Sequence, residues 1–70
     1  MDVYDIFFQD SRETVNKGFN IKDKDKAIRM AKDMLKERKG YVNQFPGGNI
    51  SVQEKETGEV IWQDVIPEEK

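Results

Sequence analysis

Between Asp23 and Gly40 the apolar residues Ala27, Ile28, Met30, Ala31, Met34 and Leu35 recur at the spacing of a single helical face. On a helical wheel they cover an arc of about 160°, wide enough to pack on a sheet. Asp23 supplies a side-chain acceptor for the free amides of a starting helix, and Gly40 suits the left-handed conformation that ends one. The spacing therefore predicts a helix over residues 24–39. Ile21 is placed to pack back on Ala27 or Ile28 ahead of the cap. Arg38 lies in line with the apolar arc, where its stem can cover apolar surface while the guanidinium meets the negative end of the helix dipole.

The flanking segments change period from 3.6 to two. Tyr4, Ile6 and Phe8 fall on one face of a strand over 3–9, with Val3, Asp5, Phe7 and Gln9 on the other. Residues 11–20 are polar, and Asn16-Lys17-Gly18 between Val15 and Phe19 suggests a short irregular hairpin. After Gly40 the pattern predicts a short strand over 41–45, a turn at Pro46-Gly47-Gly48-Asn49, and strands over 50–55 and 59–66. The loop Glu56-Thr57-Gly58 fits a type I turn with a left-handed Gly58. That turn sets Lys55 opposite Glu59, Gln53 opposite Ile61, Val52 opposite Trp62 and Ile50 opposite Asp64. In this register Ile50, Val52, Val60 and Trp62 share one face, while Ser51, Gln53, Lys55, Glu59, Ile61 and Gln63 share the other.

One apolar helix face and one apolar sheet face define an α+β fold. The expectation is a single small domain over residues 1–70, with a mostly antiparallel sheet of three to four strands, one helix on one face, and element order β-α-β-β-β. The charged end 67–70 is expected to fray. The expected core is Tyr4, Ile6, Phe8, Ala27, Ile28, Ala31, Met34, Leu35, Ile50, Val52, Val60 and Trp62.

Composition sharpens this picture. Ile, Leu, Val and Phe number 17 of 70 while 37% of residues are charged, so a folded domain of modest stability is expected. Six Ile and six Val against a single Leu make strands the main source of core. The absence of cysteine excludes disulfides, thiolate metal sites and Cys nucleophiles. The absence of histidine removes the commonest general base and transition-metal ligand. No apolar run approaches a membrane span, and the charged start Met1–Asp5 is not a secretory signal. The chain is expected to be cytoplasmic and, from its Met1 start, a complete small protein.

Chemistry finds little to work with. The acidic residues fall on turns and exposed faces, apart from Asp64, which the register puts on the core side at the sheet end, solvated or paired with a helix Lys or Arg. Asp23 and Asp25 lack the further carboxylates and central Gly of a calcium loop. Gly47-Gly48 joins two strands instead of leading into a helix, so it reads as a turn and not a phosphate loop. No catalytic residue, cofactor or metal is expected, and the chain is not read as an enzyme.

Two surfaces remain. Net charge is −2, yet residues 22–39 carry eight basic and four acidic side chains, which leaves the remainder acidic. Arg29, Lys32, Lys36 and Lys39 form a basic ridge on that helix, offset by possible pairs of Asp25 with Arg29 and Asp33 with Lys36. The uncovered sheet face carries Phe7 and Ile61, an apolar pair suited to a protein interface or a weak homodimer. Strand 41–45 would add either Val42 or Tyr41 and Phe45 to that face. The leading expectation is a small non-catalytic protein-binding module, an adaptor or inhibitor. Accessory nucleic-acid binding by the ridge comes second, because no aromatic interleaves it. The layout resembles that of many short bacterial and phage proteins, a likeness of shape alone that implies a phage or mobile-element origin and transfers no site.

Overall fold

A computed structural model describes residues 2–68 of the chain. Its elements are β1 (Tyr4–Gln9), β2 (Thr14–Asn16), α1 (Lys24–Glu37), a 3-10 helix (Gly40–Gln44), β3 (Asn49–Glu54) and β4 (Val60–Val65). The strands form one antiparallel sheet in the order β2-β1-β3-β4, and α1 packs on β1 and β3. The expected α+β architecture of one helix on a mostly antiparallel sheet of three to four strands is present, with four strands, all antiparallel, but the fourth comes from a different part of the chain.

That strand is β2. Phe7 pairs with Asn16, Phe8 with Val15 and Gln9 with Thr14, so Asp10–Glu13 makes the turn and not Asn16-Lys17-Gly18. The Asp10 carboxylate closes it by accepting the Arg12 and Glu13 amides at 2.8 and 3.0 Å, a local bond that a strand ladder does not offer. Beyond β2, Tyr4 and Ile21 exchange main-chain bonds, which carries the same edge to the helix start.

The segment expected as strand 41–45 is the 3-10 helix instead. Val42 and Phe45, three residues apart, are both buried, and this spacing closes at three residues per turn. Phe45 and Tyr41 pack on Phe8 with ring centroids 6.4 and 5.6 Å away. Val42 and Phe45 are thus core residues, Tyr41 is half-buried against them, and none of the three lies on the open sheet face.

Asp23 caps α1 as expected, accepting the Asp25 and Lys26 amides at 2.9 and 3.3 Å. The helix ends earlier than expected. Arg38, not Gly40, is the left-handed cap residue, with φ 55°, and Gly40 opens the 3-10 turn with φ 60°. Ala27 and Ala31 are fully buried where the helix meets the sheet, while Ile28, Met34 and Leu35 are half-buried around them. Small side chains at the contact line let the helix backbone approach the strands closely.

The core cluster also holds Tyr4, Ile6, Phe8, Ile50, Val52 and Ile66, with Trp62 half-buried against it. Ile66 exchanges main-chain bonds with Gly47 and Gly48, prolonging the β3–β4 pairing beyond the strand. Val60, expected in the core, is 48% exposed. The cause is a break in register. Ile50 opposes Asp64 and Val52 opposes Trp62 as expected, but Gln53 opposes Val60 and not Ile61. Ile61 is the extra residue of a β-bulge, so every side chain between it and the turn changes face. Of the expected frayed tail 67–70, Pro67 and Glu68 are exposed and residues 69–70 lie outside the described residues.

Candidate functional site

The sheet side away from α1 presents three rows that follow from the pairing. Thr14, Gln9, Asn49 and Val65 form one; Asn16, Phe7, Ser51 and Gln63 the next; Asp5, Gln53 and Val60 the third. Val65 is 59% exposed, and Phe7 is half-buried between Asn16 and Ser51. In a chain that is 37% charged, the only ionisable side chain in these rows is Asp5, which is fully buried. Within these rows the groups offered to solvent are amides, hydroxyls and apolar side chains, and the first exposed charge lies beyond them at Lys55.

Asp5 corrects the expectation that the acids lie on turns and exposed faces. Its Oδ2 accepts Asn16 Nδ2 at 2.8 Å and the Gly18 amide at 2.9 Å. Its Oδ1 accepts the Ile6 and Phe19 amides at 2.7 and 2.9 Å. With four donors, the carboxylate gathers the 16–19 segment onto β1. Lys55 holds the continuation of that segment through bonds to the Phe19 carbonyl at 3.2 Å and Asn20 Oδ1 at 2.8 Å.

Glu54 is the second buried carboxylate, 5% exposed. Oε1 accepts the amides of Glu56 and Thr57 and the Thr57 hydroxyl; Oε2 accepts the Val3 amide at 3.3 Å. These bonds, led by the Thr57 amide, hold its pKa below the ordinary glutamate value against the opposing effect of burial. The same contacts explain the bulge. Glu54 exchanges main-chain bonds with Gly58 and Glu59, so the turn begins one residue earlier than expected. Ile61 absorbs the difference.

The expected interface pair is separated. Phe7 sits on β1 and Ile61 on β4, with β3 between them, and Ile61 packs against the core cluster. Val60 takes the place on the open face that alternation assigned to Ile61, while Val65 keeps the face it shares with Gln63. No sequence signal marks this, because the bulge depends on how the Glu54 side chain uses its oxygens.

The basic ridge divides. Arg29, Lys32 and Lys36 are exposed on α1, whereas Lys39 lies past the helix end and pairs with Glu37 at 2.8 Å. Among the described residues, neither Asp25 with Arg29 nor Asp33 with Lys36 forms an ion pair. Asp64 is exposed, and its Oδ1 accepts the Val65 amide at 2.8 Å in place of a helix cation.

A polar, open cleft of about 540 Å³ lies between Asp10–Arg12 and Pro46–Asn49. Its glycine amides are committed, Gly47 to the Ile66 carbonyl and Gly48 to that of Phe45, so they form no anion nest. Asp10 is held below the ordinary carboxylate range, chiefly by the Arg12 and Glu13 amides and further by the Arg12 side chain. Among the described residues no group of three or more His, Cys, Asp or Glu could hold a metal ion, and no helix is long and apolar enough to cross a membrane. Comparison of the chain with protein-family models, with curated proteins and with solved structures finds no match.

Proposed function

We propose that the protein is a small non-catalytic binding module, an adaptor or inhibitor, that meets a neutral protein surface through its open sheet face. The carrying observation is the absence of exposed charge from the paired rows of that face in so charged a chain. Interface centres are depleted of charged residues and enriched in aromatics, and Phe7 supplies an aromatic at the middle of the face. A non-catalytic role is supported by the lack of His and Cys and by the state of Asp5 and Glu54, whose oxygens already accept main-chain donors. We assign the module to the cytoplasm on its cysteine-free composition, and a phage or mobile-element origin accords with its size.

A second reading rests on the exposed Arg29, Lys32 and Lys36, which lie within two helical turns and form no ion pair with one another's acidic neighbours among the described residues. Three cations over about 10 Å of helix could follow a phosphate backbone. The net negative charge and the lack of a stacking aromatic on the ridge rank this second.

Affinity capture from source cells at low and high salt, with and without nuclease, separates the two. Wild type is compared with Phe7→Ser/Val65→Ser and with Lys32→Glu/Lys36→Glu. The module reading expects protein partners that survive salt and nuclease and are lost from the face variant. Partners lost with salt and nuclease, and only from the ridge variant, would establish the second reading instead.

A further inference from the structure

Among the described residues β4 is an edge strand, and its outer edge is less defended than usual. β3 bonds β4 through its even-numbered residues, as shown by the Glu54–Glu59 bond and by the bond from the Ile66 amide to the Gly48 carbonyl at the prolonged end. The main-chain groups of Gln63 and Val65 therefore turn away from the sheet. The opposite edge, β2, has three residues, whereas β4 has six and contains no Lys, Arg or Pro. Those residues normally blunt an exposed edge. Two partial defences exist. The Ile61 bulge confines the regular edge to Trp62–Val65, and the Asp64 carboxylate occupies the outward Val65 amide at 2.8 Å.

The charge carried by the edge segment itself is of one sign. Residues 59–68 contain Glu59, Asp64 and Glu68 and no basic side chain. A second copy fits poorly. Antiparallel pairing through Gln63 of both chains would set the two Asp64 carboxylates diagonally across the seam on one face, where like charges repel.

We infer that the β4 edge receives an extended, lysine- or arginine-bearing peptide segment of a partner protein as a fifth strand. This deepens the binding-module reading and rests on it. The partner's main chain exchanges bonds with Gln63, which supply affinity, and side chains at alternate positions supply selectivity. A basic side chain on the helix side of the sheet pairs with Asp64 and draws its carboxylate off the Val65 amide. That amide then donates to the incoming strand. Asp64 thus closes the edge to neutral or acidic strands and opens it to basic ones.

The test uses the wild-type protein and a short capped peptide of alternating threonine and valine with lysine at both ends. Its controls are the glutamate version and a version with proline at the centre. Amide hydrogen exchange is followed by NMR. The Gln63 amide should exchange fast in the free protein and slow on adding the lysine peptide, while the Trp62 and Asp64 amides, already bonded to β3, change little. The lysine peptide should bind at least about tenfold more tightly than the glutamate version, and Asp64→Asn should shrink that ratio. The proline version should leave Gln63 unprotected. Equal binding of the two charged peptides, or no protection of Gln63, would overturn the inference. Protection that grows with protein concentration alone would overturn it in favour of a second copy. The module reading fails separately, when capture is unchanged by Phe7→Ser/Val65→Ser, so loss of either idea leaves the other measurable.

Discussion

Glu54 and Thr57 are joined twice: Oε1 of the glutamate accepts both the Thr57 amide at 2.7 Å and its hydroxyl at 3.1 Å. The other oxygen takes the Val3 amide, so one carboxylate ties the β3–β4 turn to the start of β1. A carboxyl whose folded pKa lies below its unfolded value stabilises the fold above that unfolded value, ordinarily 4.5 for glutamate, and the contribution is lost as pH falls through the folded value. Asp10 is shifted in the same direction. Stability measured by urea denaturation should therefore fall as the pH is lowered below the ordinary carboxylate range. Glu54→Gln should make that fall shallower without abolishing it. An unchanged slope in the variant would show that Glu54 is not held in its charged form by these donors.

Asp5 performs the same task for the 16–19 segment, and its isosteric replacement is a sharp probe. Asparagine keeps one acceptor oxygen but turns an NH₂ towards donors that the carboxylate now receives at 2.7–2.9 Å. Asp5→Asn should cost about 1–3 kcal/mol, the penalty for leaving buried donors unsatisfied. Denaturation should show this loss, and exchange of the Gly18 and Phe19 amides should quicken. Asp23→Asn, at a solvated cap where asparagine serves equally well, should change little.

These two carboxylates also mark where the sequence stops being informative. The helix was legible because its period runs through fourteen residues and its cap precedes it directly. The β3–β4 register was legible as far as Val52 opposite Trp62, because a slip would have mixed the faces. Beyond that point Glu54 decides, and a glutamate at the end of a strand gives no local hint that it will fold its carboxylate over the turn. Asp5 finds its partners up to 14 residues away, so alternation alone read it as an exposed strand acid. Residues 41–45 misled for another reason. Five residues with three apolar positions fit a strand as well as a 3-10 turn, and only packing against Phe8 decides between them. For the candidate site, Phe7 and Val65 were legible by alternation, while Val60 and the separation of Ile61 were not, since these depend on the bulge or the strand order.

Two glycines on opposite kinds of turn should respond differently to a methyl group. A Cβ on Gly48 would collide with the Gln9 carbonyl and crowd that of Phe45 at 3.2 Å, both main-chain atoms with little freedom to yield. A Cβ on Gly58 would meet open space, and its only difficulty is the left-handed φ of 77°. Gly48→Ala should cost about 1–3 kcal/mol or more by overpacking. Gly58→Ala should cost about 1–2 kcal/mol through backbone strain alone. Asparagine tolerates the left-handed region, so Gly58→Asn should recover part of the loss while Gly48→Asn recovers none. Thermal denaturation of the four variants would test the assignment, and rescue of Gly48 by asparagine would refute it.

Val60 and Ile61 are neighbours in sequence and opposites in the fold. Val60 opposes Gln53 on the open face and is 48% exposed, whereas Ile61 is half-buried against the core cluster. Simple alternation in the unbroken register assigns these roles the other way round, so paired substitutions test the bulge itself. Ile61→Ser removes partly buried apolar surface and should cost about 1–2 kcal/mol. Val60→Ser trims a side chain already half in water and should stay within about 0.5 kcal/mol of wild type. The same pair separates packing from binding. Val60→Ser should weaken the capture of a partner that docks on the open face while leaving the denaturation midpoint near wild type. Ile61→Ser should lower the midpoint, and its effect on capture should follow the fraction folded. A stable Ile61→Ser protein beside an unstable Val60→Ser protein would restore the unbroken register and return Ile61 to the open face beside Phe7.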